Sequence, residues 1–187
     1  MTRLLPLALV VLLAACTPEA TATKAGRSSG PPPTTGTSPS RTTGTEDRWT
    51  TDISVRHDPA VPPVPILVEV RTGDHAAEGY ERITFAFRGP LPSYTVRIVR
   101  NVVRDGSGEP VDLPGATLLS VVFTPAGSHT TAGRHDVGYR RLLAYERTGD
   151  YEGYVSYGLG VQGTTTIRTG ESTRPDGTNV VALDIKL

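Results

Sequence analysis

Apolar and polar side chains alternate along most of this chain, and the alternation has the period of β-strands. Ile66, Val68 and Val70 share one face of a first run, which Thr72-Gly73-Asp74 breaks. Residues 80–88 alternate most cleanly: Ile83, Phe85 and Phe87 point one way, and Arg82, Thr84, Ala86 and Arg88 point the other. Gly89-Pro90 ends that run. Residues 94–103 resume it, with Tyr94, Val96 and Ile98 on one face, and Asp105-Gly106-Ser107-Gly108 forms a tight turn. Residues 116–123 are almost continuously apolar, as in a strand buried on both faces. A loop over 124–138 follows. Two strands rich in Tyr and Arg come next, over 139–147 and 151–161, and then a short strand over 163–169. Arg174-Pro175-Asp176-Gly177 is a turn signal, and Val181, Leu183, Ile185 and Leu187 line one face of the last run. No stretch of ten residues holds a helical period. The pattern predicts an all-β domain, an antiparallel β-sandwich or barrel-like closed sheet of about eight strands. Trp49 and Ile53 lead into it, and a proline-rich turn over 57–65 precedes the first run.

Before residue 48 the alternation is absent. Residues 17–47 are Thr, Ser, Pro, Gly and Ala with a few charges. Such a tract buries too little apolar surface to offset chain entropy, so a disordered linker is expected. A flexible chain of this length spans roughly 30 Å on average and about 100 Å fully stretched. At the start, Met1-Thr2-Arg3 is positive, residues 4–13 are apolar except for Pro6, and Ala14-Ala15 are small. That is the three-part layout of a secretory signal. The apolar run is about half the ~20 residues needed to span a bilayer. Leu13-Ala14-Ala15-Cys16 resembles the lipobox of bacterial lipoproteins, in which the cysteine receives a diacylglyceryl group and the preceding bond is cut. The resemblance implies a signal peptide over 1–15, a lipidated Cys16 opening a linker over 16–47, and a β domain over 48–187. It also implies export and a lipid anchor in the outer face of the cell membrane. Two acyl chains hold stably where one is marginal, at ~0.8 kcal/mol per buried CH₂. The plainer alternative is a cleaved signal with an incidental cysteine.

Composition narrows the function. The chain has 19 basic and 19 acidic residues, a balance that argues against nucleic acid as a partner. One cysteine rules out an internal disulfide and a Cys-rich zinc site. The standard catalytic and nucleotide-binding motifs are absent. The nearest miss, Gly153-Tyr154-Val155-Ser156-Tyr157-Gly158, has the wrong spacing for a nucleophile elbow. His129 and His135 share a Gly-containing loop with Asp136, which fits a solvated polar loop better than a metal site because no regular element fixes their spacing. A non-enzymatic domain without metal or cofactor is therefore expected.

Binding has more support. Tyr139, Arg141, Tyr145, Tyr151 and Tyr154 crowd two consecutive strands and are the candidate ligand contacts, joined by Arg140 and Tyr157. Tyrosine rings offer flat faces with a polar tip, and Arg offers a fork for carboxylates. Ordinary sandwich packing is the bland alternative for each of them. Alternation sets Tyr154 on the face opposite Tyr151 and Tyr157. Gly153, Gly158 and Gly160 either admit a close neighbour or mark bulges. Arg82 lies mid-strand on a polar face, so a cross-sheet ion pair with Glu152 or Asp184 is expected, with a ligand carboxylate as the rival.

From Glu69 onward the chain resembles the AMIN-like domain of actinobacterial lipoproteins. The resemblance rests on Arg71-Thr72-Gly73-Asp74-His75, Gly79-Tyr80-Glu81-Arg82-Ile83-Thr84-Phe85, Gly89-Pro90-Leu91-Pro92-Ser93-Tyr94, Asp105-Gly106-Ser107-Gly108-Glu109-Pro110, Tyr151-Glu152-Gly153 and Leu183-Asp184-Ile185. Glu81-Arg82 stands where the family usually has Asp-Arg, and Tyr151 where it often has Phe. Related AMIN domains are β-sandwiches that help localise envelope proteins, so the resemblance implies a role at wall peptidoglycan or polysaccharide. It does not imply amidase activity, because the zinc domain of those enzymes has no counterpart here. The expected function is a lipid-anchored envelope domain that binds wall glycan or peptide. The alternative is a scaffolding lipoprotein that docks an envelope protein on an exposed edge strand.

Overall fold

A computed structural model describes residues 48–187, residue 60 excepted. The signal segment, Cys16 and the linker lie outside the described residues. Eleven strands follow in chain order: β1 (Asp52–Val55), β2 (Ile66–His75), β3 (Tyr80–Arg88), β4 (Ser93–Val99), β5 (Thr117–Thr124), β6 (Gly127–Ser128), β7 (Gly133–Asp136), β8 (Leu142–Tyr151), β9 (Tyr154–Val161), β10 (Ile167–Thr173) and β11 (Asn179–Lys186). The only helix-like turn among them is a 3-10 segment, Ala76–Glu78.

The strands form two sheets. One runs β1-β4-β5-β9-β8-β7 and the other β10-β11-β3-β2-β6. Every pairing is antiparallel except β2 with β6, which is parallel. The all-β sandwich is as expected, with more strands than alternation revealed. The additional ones, β1, β6 and β7, have four, two and four residues, too short to show a period. β10 begins at Ile167, four residues later than the alternation placed it, and β4 ends at Val99.

The two sheets meet along one edge. Thr50 N–H donates to the Ile167 carbonyl at 2.9 Å, and Ile167 N–H returns a bond of 2.7 Å. On the opposite side the chain itself crosses over: β5 ends one sheet segment and β6, after Pro125 and Ala126, joins the other. The fold is thus a sandwich whose sheets are hydrogen-bonded to each other on the Thr50–Ile167 side.

Between the sheets, Leu67, Ile83, Phe85, Phe87, Val181, Leu183 and Ile185 face Tyr94, Val96, Leu119, Val121, Phe123, Val155, Tyr157 and Leu159. Phe123 lies 4.9 Å from Phe85 and 5.0 Å from Phe87, ring centre to ring centre, within the range of favourable tilted aromatic pairs. Glu81 shares the inward face of β3 and is 1 % exposed. Its carboxylate accepts the Leu142 N–H at 2.6 Å and the Arg141 N–H at 3.0 Å, which joins β3 to the opposite sheet at the start of β8.

A second, smaller core sits on the outer face of the six-stranded sheet. Val102, Val111 and Leu113, from the β4–β5 connection, pack on Ala144. This connection lies so close that a Cβ on Gly158 would come within 2.5 Å of Val102 Cγ1. A Cβ on Gly160 would run into the Pro114 carbonyl. Arg104 fixes the connection by an ion pair to buried Glu146 at 2.7 Å. These strand glycines therefore admit backbone and side chains of the chain itself. β5 is buried fully on one face only: Leu119, Val121 and Phe123 are buried, and the alternate residues are half-buried. The apolar run over 116–123 reflects that half-cover, which includes Leu118 against the second core.

Candidate functional site

The candidate tyrosines and arginine do not share one surface. Tyr139 is half-buried against the main core, with its hydroxyl 3.4 Å from Thr72 Oγ1. Arg141 folds back on its own sheet: Nη1 donates to the Gln162 carbonyl at 2.8 Å and to the Thr164 carbonyl at 3.3 Å. Tyr151 and Tyr154 stand directly opposite each other at the β8–β9 turn. Cross-strand partners point to the same face, so counting through the two-residue hairpin wrongly set Tyr154 opposite Tyr151, while within β9 Tyr154 does lie opposite the inward Tyr157. Both rings are open to solvent, 72 % and 50 % exposed. The turn itself is Glu152-Gly153, both with positive φ, 50° and 79°.

Tyr145 has a different setting. It points inward on β8, near the edge where the sheets separate, and stacks on His135 of β7 at 4.8 Å with an interplanar angle of 14°. The two rings border a cleft of about 290 Å³ between β2 and β7–β8, lined also by Val68, Glu69, His129, Thr130 and Tyr157. Tyr157 lies at its base. The Tyr157 hydroxyl is 2.6 Å from Thr130 Oγ1, which is 2.8 Å from Ser128 Oγ. Burial raises the Tyr145 and Tyr157 phenols above their usual pKa, so both stay protonated at neutral pH and keep an O–H to donate. Glu69 is held in place by Arg71 and by Arg174, whose Nη1 lies 2.5 Å from Glu69 Oε2.

The cleft exists because of two irregularities. β2 carries a bulge between Leu67 and Glu69, and it has a neighbour on its outer edge only at Ile66 and Leu67. Beyond β6 the chain leaves that edge, taking His129 and Thr130 over the gap before β7 returns to the other sheet. Bulges that re-aim side chains beside a site are a recurring device. Sequence reasoning selected Tyr145 and singled out His129 and His135, but it missed Glu69 and Thr130. Among the described residues no group of three or more His, Cys, Asp or Glu is arranged to hold a metal ion.

The AMIN-like domain family matches residues 65–186. The chain belongs to this family. No curated protein and no solved structure matches it. As an AMIN-like domain it is a domain associated with the cell envelope and its peptidoglycan.

The outer face of the five-stranded sheet gives this AMIN-like domain its charged ladder. Arg82, Asp184 and Arg168 are register partners across β3, β11 and β10. Arg82 donates to Asp184 through Nε at 2.6 Å and Nη2 at 3.0 Å, and Arg168 Nε donates to the same carboxylate at 2.9 Å. The hydrogen bond to Asp184 is the main reason the Arg82 pKa is raised further. The Tyr80 ring lies 5.0 Å from the Arg82 guanidinium and 5.1 Å from that of Arg168, and Trp49 lies 4.7 Å from Arg168. Glu152, the other partner expected for Arg82, is in the β8–β9 turn of the other sheet. A bidentate pair with a buried carboxylate gives Arg82 a structural role and leaves no need for a ligand carboxylate.

Proposed function

We propose that this AMIN-like domain is a non-enzymatic, membrane-tethered module that binds cell-wall polymer. The family match over 65–186 is the observation that carries the reading. The solvent-open cleft beside β2 supplies a place for a ligand, with aromatic rings and uncharged hydrogen-bonding groups in one wall. The Leu13-Ala14-Ala15-Cys16 tetrad supports the anchor, with a diacylglyceryl group on Cys16 in the outer face of the cell membrane. A linker over 16–47 would then let the domain reach wall polymer at roughly 30 Å from the bilayer.

Purified sacculi are expected to retain the folded protein and not a heat-denatured control. Equal retention of both would remove the wall-binding reading. For the anchor, Cys16→Ala is expected to shift the protein into the soluble fraction and to abolish the lipid mass increment. A variant that stays with membranes at the lipidated mass would count against it.

The exposed Tyr151–Tyr154 pair favours a second reading, docking of an envelope protein at the β8–β9 turn. Amphipathic rings of this kind concentrate at protein interfaces. One dominant cross-linked protein in intact cells, lost in Tyr151→Ala, would select that reading over wall binding.

A further inference from the structure

We propose that the cleft between β2 and β7–β8 seats a neutral sugar ring of the wall glycan rather than its acidic peptide. This deepens the wall-binding reading and rests on it.

The first argument is charge. Among the described residues the only carboxylate lining the cleft, Glu69, is already paired with Arg71 and Arg174. None of the described residues lining the cleft is Lys or Arg. An acidic peptide entering would have to desolvate its carboxylates without a free cation to receive them, which is costly. A neutral ligand meets no such cost. Arg82, Arg141 and Arg168, which would suit a carboxylate, all lie elsewhere on guanidinium–carboxylate or guanidinium–carbonyl bonds.

The second argument is the match of hydrogen-bonding groups. Sugar hydroxyls both donate and accept. The cleft offers groups of the same double character: the Thr130 hydroxyl, the Tyr145 and Tyr157 phenols, and the imidazoles of His129 and His135. Thr130 and Tyr157 are already bonded to each other at 2.6 Å, so their remaining valences are held in fixed directions. Rigid placement of this sort lowers the ordering cost of binding.

The third argument is shape. The stacked His135–Tyr145 pair, 4.8 Å between ring centres, gives one wall of the cleft a flat aromatic platform. The C–H face of a pyranose is flat and apolar and suits such a platform. At about 290 Å³ the cleft is at the small end of ligand sites, which typically measure roughly 300–1,000 Å³. It therefore has room for one ring, with the rest of a polymer passing out over the open edge of β2.

The test uses the purified full chain at pH 7.5, titrated calorimetrically with a β-1,4-linked N-acetylglucosamine tetramer and, separately, with a free acidic pentapeptide. The tetramer is expected to bind and the peptide not to. His135→Ala and His129→Ala, both at exposed positions, are expected to weaken the tetramer at least tenfold with the melting temperature unchanged. Tyr151→Ala is expected to leave it unchanged. Tetramer binding that survives both histidine variants would place the sugar site elsewhere and overturn the proposal. So would peptide binding that depends on His135. Sacculi that retain the protein while the tetramer fails to bind would overturn the cleft assignment and leave the wall-binding reading standing. Tetramer binding without sacculus retention would do the reverse.

Discussion

A chain ending at residue 180 is expected not to fold. β11 lies between β10 and β3, with all eight of its residues in register with β3 and seven with β10. β10 has no other partner within its sheet, so losing β11 strips it of its ladder. Val181, Leu183 and Ile185 are each no more than 2 % exposed. At roughly 1.5–3 kcal/mol for each buried aliphatic side chain, their loss costs about 5–9 kcal/mol. That is comparable with the whole stability of an ordinary domain, about 5–15 kcal/mol. The deletion also removes Asp184, leaving Arg82 and Arg168 facing each other without the carboxylate between them. Circular dichroism and a thermal melt check this. A truncated protein with a native spectrum and a cooperative melt near that of the full chain would show that β11 is dispensable.

The same strand shows what the sequence made legible. β3 and β11 each turn one face into the main core, so Ile83, Phe85 and Phe87, and Val181, Leu183 and Ile185, are spaced as a period of two demands. The Arg82–Asp184 pair was within reach for that reason, since both residues sit on the polar face of central strands. The layer built by the β4–β5 connection was not. Val102, Val111 and Leu113 fall in a stretch with turn residues, and only Gly158 and Gly160 hinted that something approaches β9 closely. The cleft was legible only in pieces. Glu69 is sixty residues before His129 in the chain, and it meets His129, His135 and Tyr145 because the chain crosses from β5 to β6 between them. Alternation describes faces within a strand. It carries no information on which edges stay open or which strands change sheets, and the cleft depends on both.

Glu81→Ala is expected to be as damaging as truncating a core side chain of β3. The position looks wrong for a carboxylate, because its neighbours on the same face are Ile83 and Phe85. The reason lies in β8, whose register shifts between Leu142 and Ala144. A bulge interrupts the ladder there, and the consecutive amides of Arg141 and Leu142 both turn toward the sandwich interior, where no strand accepts them. Glu81 does so with both oxygens: Oε2 is 2.6 Å from Leu142 N and 3.0 Å from Arg141 N, and Oε1 is 3.0 Å from Arg141 N. Alanine would leave two buried donors without an acceptor, at about 1–3 kcal/mol each. The expected loss is therefore about 2–6 kcal/mol, and the melting temperature should fall by roughly 6–20 °C. Glu81→Gln keeps one carbonyl oxygen but turns an NH₂ group toward the amides, so it should lie between wild type and alanine. Thermal melts of the three proteins give the order directly. If alanine melted within a degree or two of wild type, water would have to enter and satisfy both amides, and the carboxylate would not be what joins the two sheets at this end.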